Sequence, residues 1–130
     1  MSATGRRVRA PKVGMPLAAA LDVVLVVAFA ALGRASHAED DPVLGVWGTA
    51  WPFLLGTALG WWAVRWRSGR WPLQVGTGIP VWAGTLVVGM LVRVLTGAGT
   101  AATFVLVAGC TLAVLLLGWR AVAGRLTRRP

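Results

Sequence analysis

The sequence predicts an all-α polytopic membrane protein: a bundle of four transmembrane helices with both termini in the cytoplasm. Three observations carry that prediction. Of 130 residues, 57% are hydrophobic and only 13% charged, and the mean hydropathy is +0.72, which leaves too few polar side chains to coat a soluble globule of this size. The apolar residues also fall into four blocks, 17–33, 43–64, 79–95 and 100–119, each near bilayer length rather than the length of a soluble core segment. The third observation is the placement of the basic residues. Arg6, Arg7, Arg9 and Lys12 precede the first block, Arg65, Arg67 and Arg70 follow the second, and Arg120, Arg125, Arg128 and Arg129 follow the fourth. Eleven basic residues therefore stand on one side against Arg34 alone on the other, with Arg93 inside a helix, and the positive-inside rule puts the eleven in the cytoplasm.

This organisation reads as one domain. A basic tail (1–15) leads into a transmembrane unit (16–120), and a second basic tail (121–130) follows. At ~1.5 Å per residue and a hydrocarbon thickness of ~30 Å, the second and fourth blocks span with ease, whereas the first and third are short. The net charge of +9 follows from the topology signal. Because the charges flank helices with no groove-reading motif between them, nucleic acid is excluded as a partner, and the lipid bilayer, including its anionic lipids, is the expected one. Arg6-Arg7 lacks the hydrophobic consensus of a twin-arginine signal. The first block is longer than a signal-peptide core and contains Asp22, so it is expected to remain in place.

In the first helix, Asp22 is the costly residue. An acid near a helix centre opposes insertion by ~2.5–3.5 kcal/mol, and each Leu, Val or Phe around it contributes only ~0.3–0.6 kcal/mol in return. Such a residue should face the protein interior and is a functional-site hypothesis by default. It lies ~8 Å in from the cytoplasmic boundary at helical rise, so the partners expected for it are Arg65 and Arg120, at the cytoplasmic ends of the second and fourth helices. The exit of the first helix, Gly33-Arg34-Ala35-Ser36-His37, leads to a loop containing Glu39, Asp40 and Asp41. Arg34, His37 and Arg93, which can snorkel outward, form a candidate outer-face cluster. One histidine and one cysteine cannot build a haem or zinc site, and no cofactor is expected.

Asp41-Pro42 reads as an N-cap followed by proline in the first turn of the second helix. Along that helix Gly45, Gly48, Thr49, Pro52, Gly56, Gly60 and Ala63 share a stripe ~120° wide. Gly56 and Gly60 form a small-xxx-small pair that lets helix backbones approach, so Gly45, Gly48, Pro52, Gly56 and Gly60 are assigned to helix packing. Trp61, Trp62, Trp66 and Trp71 gather near Arg65–Arg70 as an interfacial aromatic belt. The third helix is predicted to start near Pro80, with Gly78, Trp82, Thr85, Gly89 and Arg93 on one face. Thr96–Thr100 reads as a tight hairpin. In the fourth helix Thr100, Thr103, Val107, Thr111 and Gly118 form a milder small or polar stripe, and Cys110 is expected to be a buried packing residue.

Several of these residues occur in a recognisable order: an intramembrane Asp, Gly33-Arg34-x-Ser36-His37, Ala50-Trp51-Pro52-Phe53 with Gly56 and Gly60-Trp61, then Arg93, Thr96-Gly-x-Gly-Thr100 and Trp119-Arg120. In this order the chain resembles the small bacterial membrane-protein family designated domain of unknown function 3054, over roughly Leu17–Arg120. The resemblance implies an actinobacterial-type four-helix protein of the cytoplasmic membrane and carries no activity or catalytic residue across. Enzyme function is not expected, since no nucleophile–base pair, metal cluster or phosphate-cradling loop can be assembled. Two classes remain. One is a non-enzymatic structural or accessory membrane component, bound to a larger membrane complex or to itself as a parallel homo-oligomer. The other is a small proton- or cation-coupled transporter using Asp22.

Overall fold

The computed structural model describes residues 13–34, 42–97 and 101–128, and all of its regular structure is helical. In chain order the elements are α1 (Met15–Arg34), α2 (Pro42–Ser68), α3 (Val75–Leu95) and α4 (Ala102–Leu112), then one π-helical turn (Ala113–Leu117) and α5 (Gly118–Arg128). The last three run on as a single rod, so the bundle has four rods. Rods that follow one another in sequence pack side by side, α2 against α3 most closely, and the fourth rod returns to touch α1.

Three helical stretches, Met15–Gly33, Val75–Leu95 and Ala102–Thr127, are long and apolar enough to cross a membrane. Helix α2 is the longest single helix, at 27 residues. Helices α1 and α3, at 20 and 21 residues, are longer than their apolar blocks and reach ~30 Å at helical rise. Many large apolar side chains point outward, among them Leu32, Leu91, Leu95, Leu106 and Val114. An apolar exterior of this extent suits a lipid surround.

Inward faces follow the helical period. In α1 the buried residues are Ala18, Asp22, Val26, Phe29 and Ala30; in α3 they are Gly78, Val81, Thr85 and Gly89. Val26, Phe29, Phe53, Ala108, Leu112 and Leu116 form the apolar centre. There the Phe29 and Phe53 rings meet edge to face at 5.2 Å. Gly89 makes room for Phe53, since a Cβ on residue 89 would fall 2.6 Å from Phe53 Cε1.

Several boundaries and faces differ from the sequence reading. Helix α3 begins at Val75, not near Pro80, because Gln74 caps it and the Thr77 hydroxyl accepts a hydrogen bond from the Gln74 N–H at 3.2 Å. Pro80 thus lies inside the helix. The fourth rod continues to Arg128, so most of the segment expected to be a basic tail is helical. Its buried stripe is Ala108, Gly109, Leu112, Leu116 and Arg120, whereas Thr103 and Val107 are exposed. Cys110 is exposed, not buried, because it lies on the outward face that carries Leu106 and Val114. Pro42 opens α2 as expected. Asp41, the loop acids and Thr100 lie outside the described residues.

Candidate functional site

Asp22 is 0% exposed and Arg120 is 1% exposed, and the two form a fork-to-fork ion pair. Arg120 Nη1 donates to Asp22 Oδ1 at 2.9 Å and Nη2 donates to Oδ2 at 2.7 Å. Two indoles complete the shell: Trp119 Nε1 donates to Oδ1 and Trp61 Nε1 to Oδ2, each at 2.8 Å. An ionised carboxylate offers about four lone-pair positions, and here each oxygen accepts two hydrogen bonds. The acceptor capacity of Asp22 is filled.

The guanidinium is held as firmly. Its Nε donates to the Pro72 carbonyl at 2.9 Å and Nη1 also donates to the Leu116 carbonyl at 2.8 Å. Its Cζ lies 4.5 Å from the centre of the Trp119 ring, a cation–π distance. The lattice therefore ties α1 (Asp22) to α2 (Trp61), to the α2–α3 turn (Pro72) and to α5 (Trp119 and Arg120).

Two local features let Arg120 reach this position. In a regular helix at ~100° per residue, Arg120 would stand ~120° around the axis from Ala108. One wide π turn between them takes up a residue and removes ~100° of that rotation. Arg120 then continues the inward line of Ala108, Leu112 and Leu116. Gly78 of α3 supplies the second feature, since it leaves space for the arginine stem.

Desolvating two such ions costs several kcal/mol each, and only close geometry with further hydrogen bonds offsets that cost. Charge-assisted bidentate contacts are the strong kind, and the indoles and carbonyls fill most of the remaining polar sites. Chemically, the arrangement is a saturated clamp between helices.

The sequence-predicted residues distribute unevenly around it. The structure brings Asp22 and Arg120 together and places Arg65 elsewhere: Arg65 is exposed, donates to the Gly69 carbonyl and has its Cζ 4.6 Å from the Trp71 ring centre. Trp71 in turn packs against Trp61 at 6.0 Å, so Arg65 touches the shell of the ion pair through two rings. Arg93 lies near the other end of α3 with its guanidinium 4.6 Å from the Phe104 ring centre. Arg34 ends α1 and His37 lies outside the described residues. Among the packing residues, Pro52, Gly56 and Gly60 are buried, Gly45 is half-buried, and Gly48 is exposed with nothing within 4 Å of a Cβ there.

Sequence reasoning missed Trp61 and Trp119 as ligands of the carboxylate: Trp61 reads as part of the interfacial belt, and Trp119 enters only as part of the Trp119-Arg120 motif. One signal was available. Trp61 lies one helical turn inward from Arg65, at the depth computed for Asp22, and an indole N–H is a donor that suits a buried anion.

A family model described as a protein of unknown function (DUF3054) matches residues 19–123. That range contains Asp22, Trp61, Pro72, Gly78, Trp119 and Arg120. No curated protein and no solved structure matches the chain.

Proposed function

The chain belongs to the DUF3054 family, and from that premise we propose that it is a non-enzymatic structural or accessory component of the cell membrane whose helices are clamped by the Asp22–Arg120 lattice. The observation that carries this reading is the saturation of Asp22. A transport acid must exchange its proton or cation with water, whereas both Asp22 oxygens already hold two donors each within 2.9 Å in a fully buried setting.

In this reading α2 is the fourth span. Its 27 residues extend ~40 Å at helical rise, more than the ~30 Å of hydrocarbon. Both termini are cytoplasmic. What supports this topology is the hydrogen bond from Arg120 to Pro72, which draws the basic ends of α2 and α5 to one end of the bundle. A chain with so one-sided a charge pattern inserts in one orientation, so a homo-oligomer would be parallel.

The test is a flux assay in proteoliposomes with a pH-sensitive dye, comparing wild type with Asp22→Asn. The accessory reading expects no proton or cation flux above empty vesicles for either protein, together with a lowered Tm for the variant. Flux in the wild type that disappears in a variant of unchanged Tm would replace it with the transporter reading.

A further inference from the structure

We propose that the cavity between the end of α2 and the start of α3 is a binding site for one phosphate-bearing anionic group, the chemistry shared by a phospholipid headgroup and a free phosphate. The cavity is a half-open cleft of about 330 Å³, lined by Arg65, Gly69, Arg70, Trp71, Leu73, Gln74 and Thr77. This volume is at the small end of ligand sites and suits a headgroup without its acyl chains.

Charge selects the ligand class. The four acids of the chain are Asp22, Glu39, Asp40 and Asp41, and among the described residues only Asp22 remains, with its acceptors already filled by Arg120 and the indoles. Neither Arg65 nor Arg70 therefore has a carboxylate partner among the described residues. Two arginines line this small cavity with no acid beside them, which favours an anion, and guanidinium matches the oxygens of phosphate in a bidentate manner.

Most of the wall is held in place by contacts within the chain. Gly69 takes the left-handed conformation, φ +68°, that turns the chain out of α2. Its carbonyl accepts a hydrogen bond from Arg65, and Trp71 supports the flat face of that guanidinium. Thr77 and Gln74 are held to each other at the first turn of α3, which adds polar groups and the positive end of a helix to the wall. The site lies on the same end of the bundle as Arg120 and Arg125. This is the level at which a headgroup would stand if the helices span a bilayer.

The experiment uses the full chain in neutral detergent, with binding read by isothermal titration. The probes are dihexanoyl-phosphatidylglycerol, dihexanoyl-phosphatidylcholine and inorganic phosphate. The expected result is saturable binding of phosphatidylglycerol at about one per chain, weaker binding of phosphatidylcholine, and loss of affinity of about tenfold or more in Arg65→Gln/Arg70→Gln. Arg67→Gln removes an exposed charge of the same helix end that does not line the cavity, and should bind as wild type. Competition by millimolar inorganic phosphate identifies a free phosphate as the ligand, and its absence identifies the lipid headgroup. If the double variant does not fold, Arg70→Gln alone decides, with a loss of at least about threefold expected. The proposal is overturned by wild-type affinity in the double variant (or in Arg70→Gln if that stands in for it), by an equal loss in Arg67→Gln, or by the absence of saturable binding for phosphatidylglycerol and phosphate alike.

Discussion

Gly78 of α3 lies against the stem of Arg120 in α5: a Cβ on residue 78 would stand 2.5 Å from Arg120 Cδ and 2.8 Å from its Nε. The arginine cannot yield without leaving Asp22 or the Pro72 carbonyl, because its Nε and both Nη atoms are hydrogen-bonded. Gly78→Ala should therefore destabilise the protein by about 1–3 kcal/mol, the usual cost of overpacking. Gly48→Ala is the matched control. It adds a methyl in open space, where replacing a helical glycine gains up to ~1 kcal/mol. Thermal unfolding in detergent should show the two Tm values moving in opposite directions.

The ion pair itself predicts strong non-additivity. Removing one member of a buried pair leaves the other as an uncompensated charge, at a cost of about 3–5 kcal/mol, whereas replacing both with apolar groups of similar shape is far less damaging. Asp22→Leu and Arg120→Met should each lower stability by that order, and the double variant should lose much less than the sum. A double-mutant cycle on equilibrium unfolding measures this coupling. Additive losses would mean that the two side chains act independently.

Much of this site is legible in the residue order, and the remainder is obscured for identifiable reasons. Counting helical rise from the first basic boundary gives the depth of Asp22 and points to arginines at the ends of the second and fourth helices. That arithmetic does not choose between them. Arg65 has a nearer use, its Gly69 carbonyl and the Trp71 face, and Trp61, one turn deeper, takes the position on the carboxylate. The π turn at Ala113–Leu117 has no mark in an all-aliphatic stretch, yet without it Arg120 would point away from Asp22. Pro80 suggests a helix start because proline favours the first turn, but the Gln74–Thr77 contact begins the helix earlier. The small residues of α2 are visible as a stripe, but a stripe ~120° wide does not show which part of its width a partner helix covers, and Gly48 lies at the uncovered edge.

The α2–α3 seam makes a third prediction. A Cβ on Gly56 would stand 2.8 Å from Thr85 Cα, and one on Gly60 would stand 2.8 Å from Val81 Cα. Both obstacles are backbone, which cannot swing aside. Beside them the Thr57 and Thr85 hydroxyls lie 2.7 Å apart, so one donates to the other and the second donates to its own helix, to Phe53 or Val81. Gly56→Ala and Gly60→Ala should force the helices apart, break this buried pair and each lower stability by about 1–3 kcal/mol. Distances between spin labels on the outward faces of α2 and α3 should lengthen in the same variants.

The indole donors give the last prediction. Trp61 and Trp119 each supply one N–H to a charged acceptor, and a hydrogen bond to a charged group is worth about 1.5–3 kcal/mol. Phenylalanine keeps the aromatic ring and removes the donor, so Trp61→Phe and Trp119→Phe should each cost about that much. Trp62 and Trp66 stack on one another at 5.7 Å, more than 60% exposed, and their Phe variants should change stability by less than about 0.5 kcal/mol. The comparison separates an aromatic belt, in which Trp61 responds like Trp62 and Trp66, from a carboxylate shell, in which Trp61 and Trp119 respond and the other two do not. In the Asp22→Leu background the penalty at Trp61 and Trp119 should shrink, because the acceptor is gone. If the penalty persists there, the rings matter for packing and not for the anion they hold.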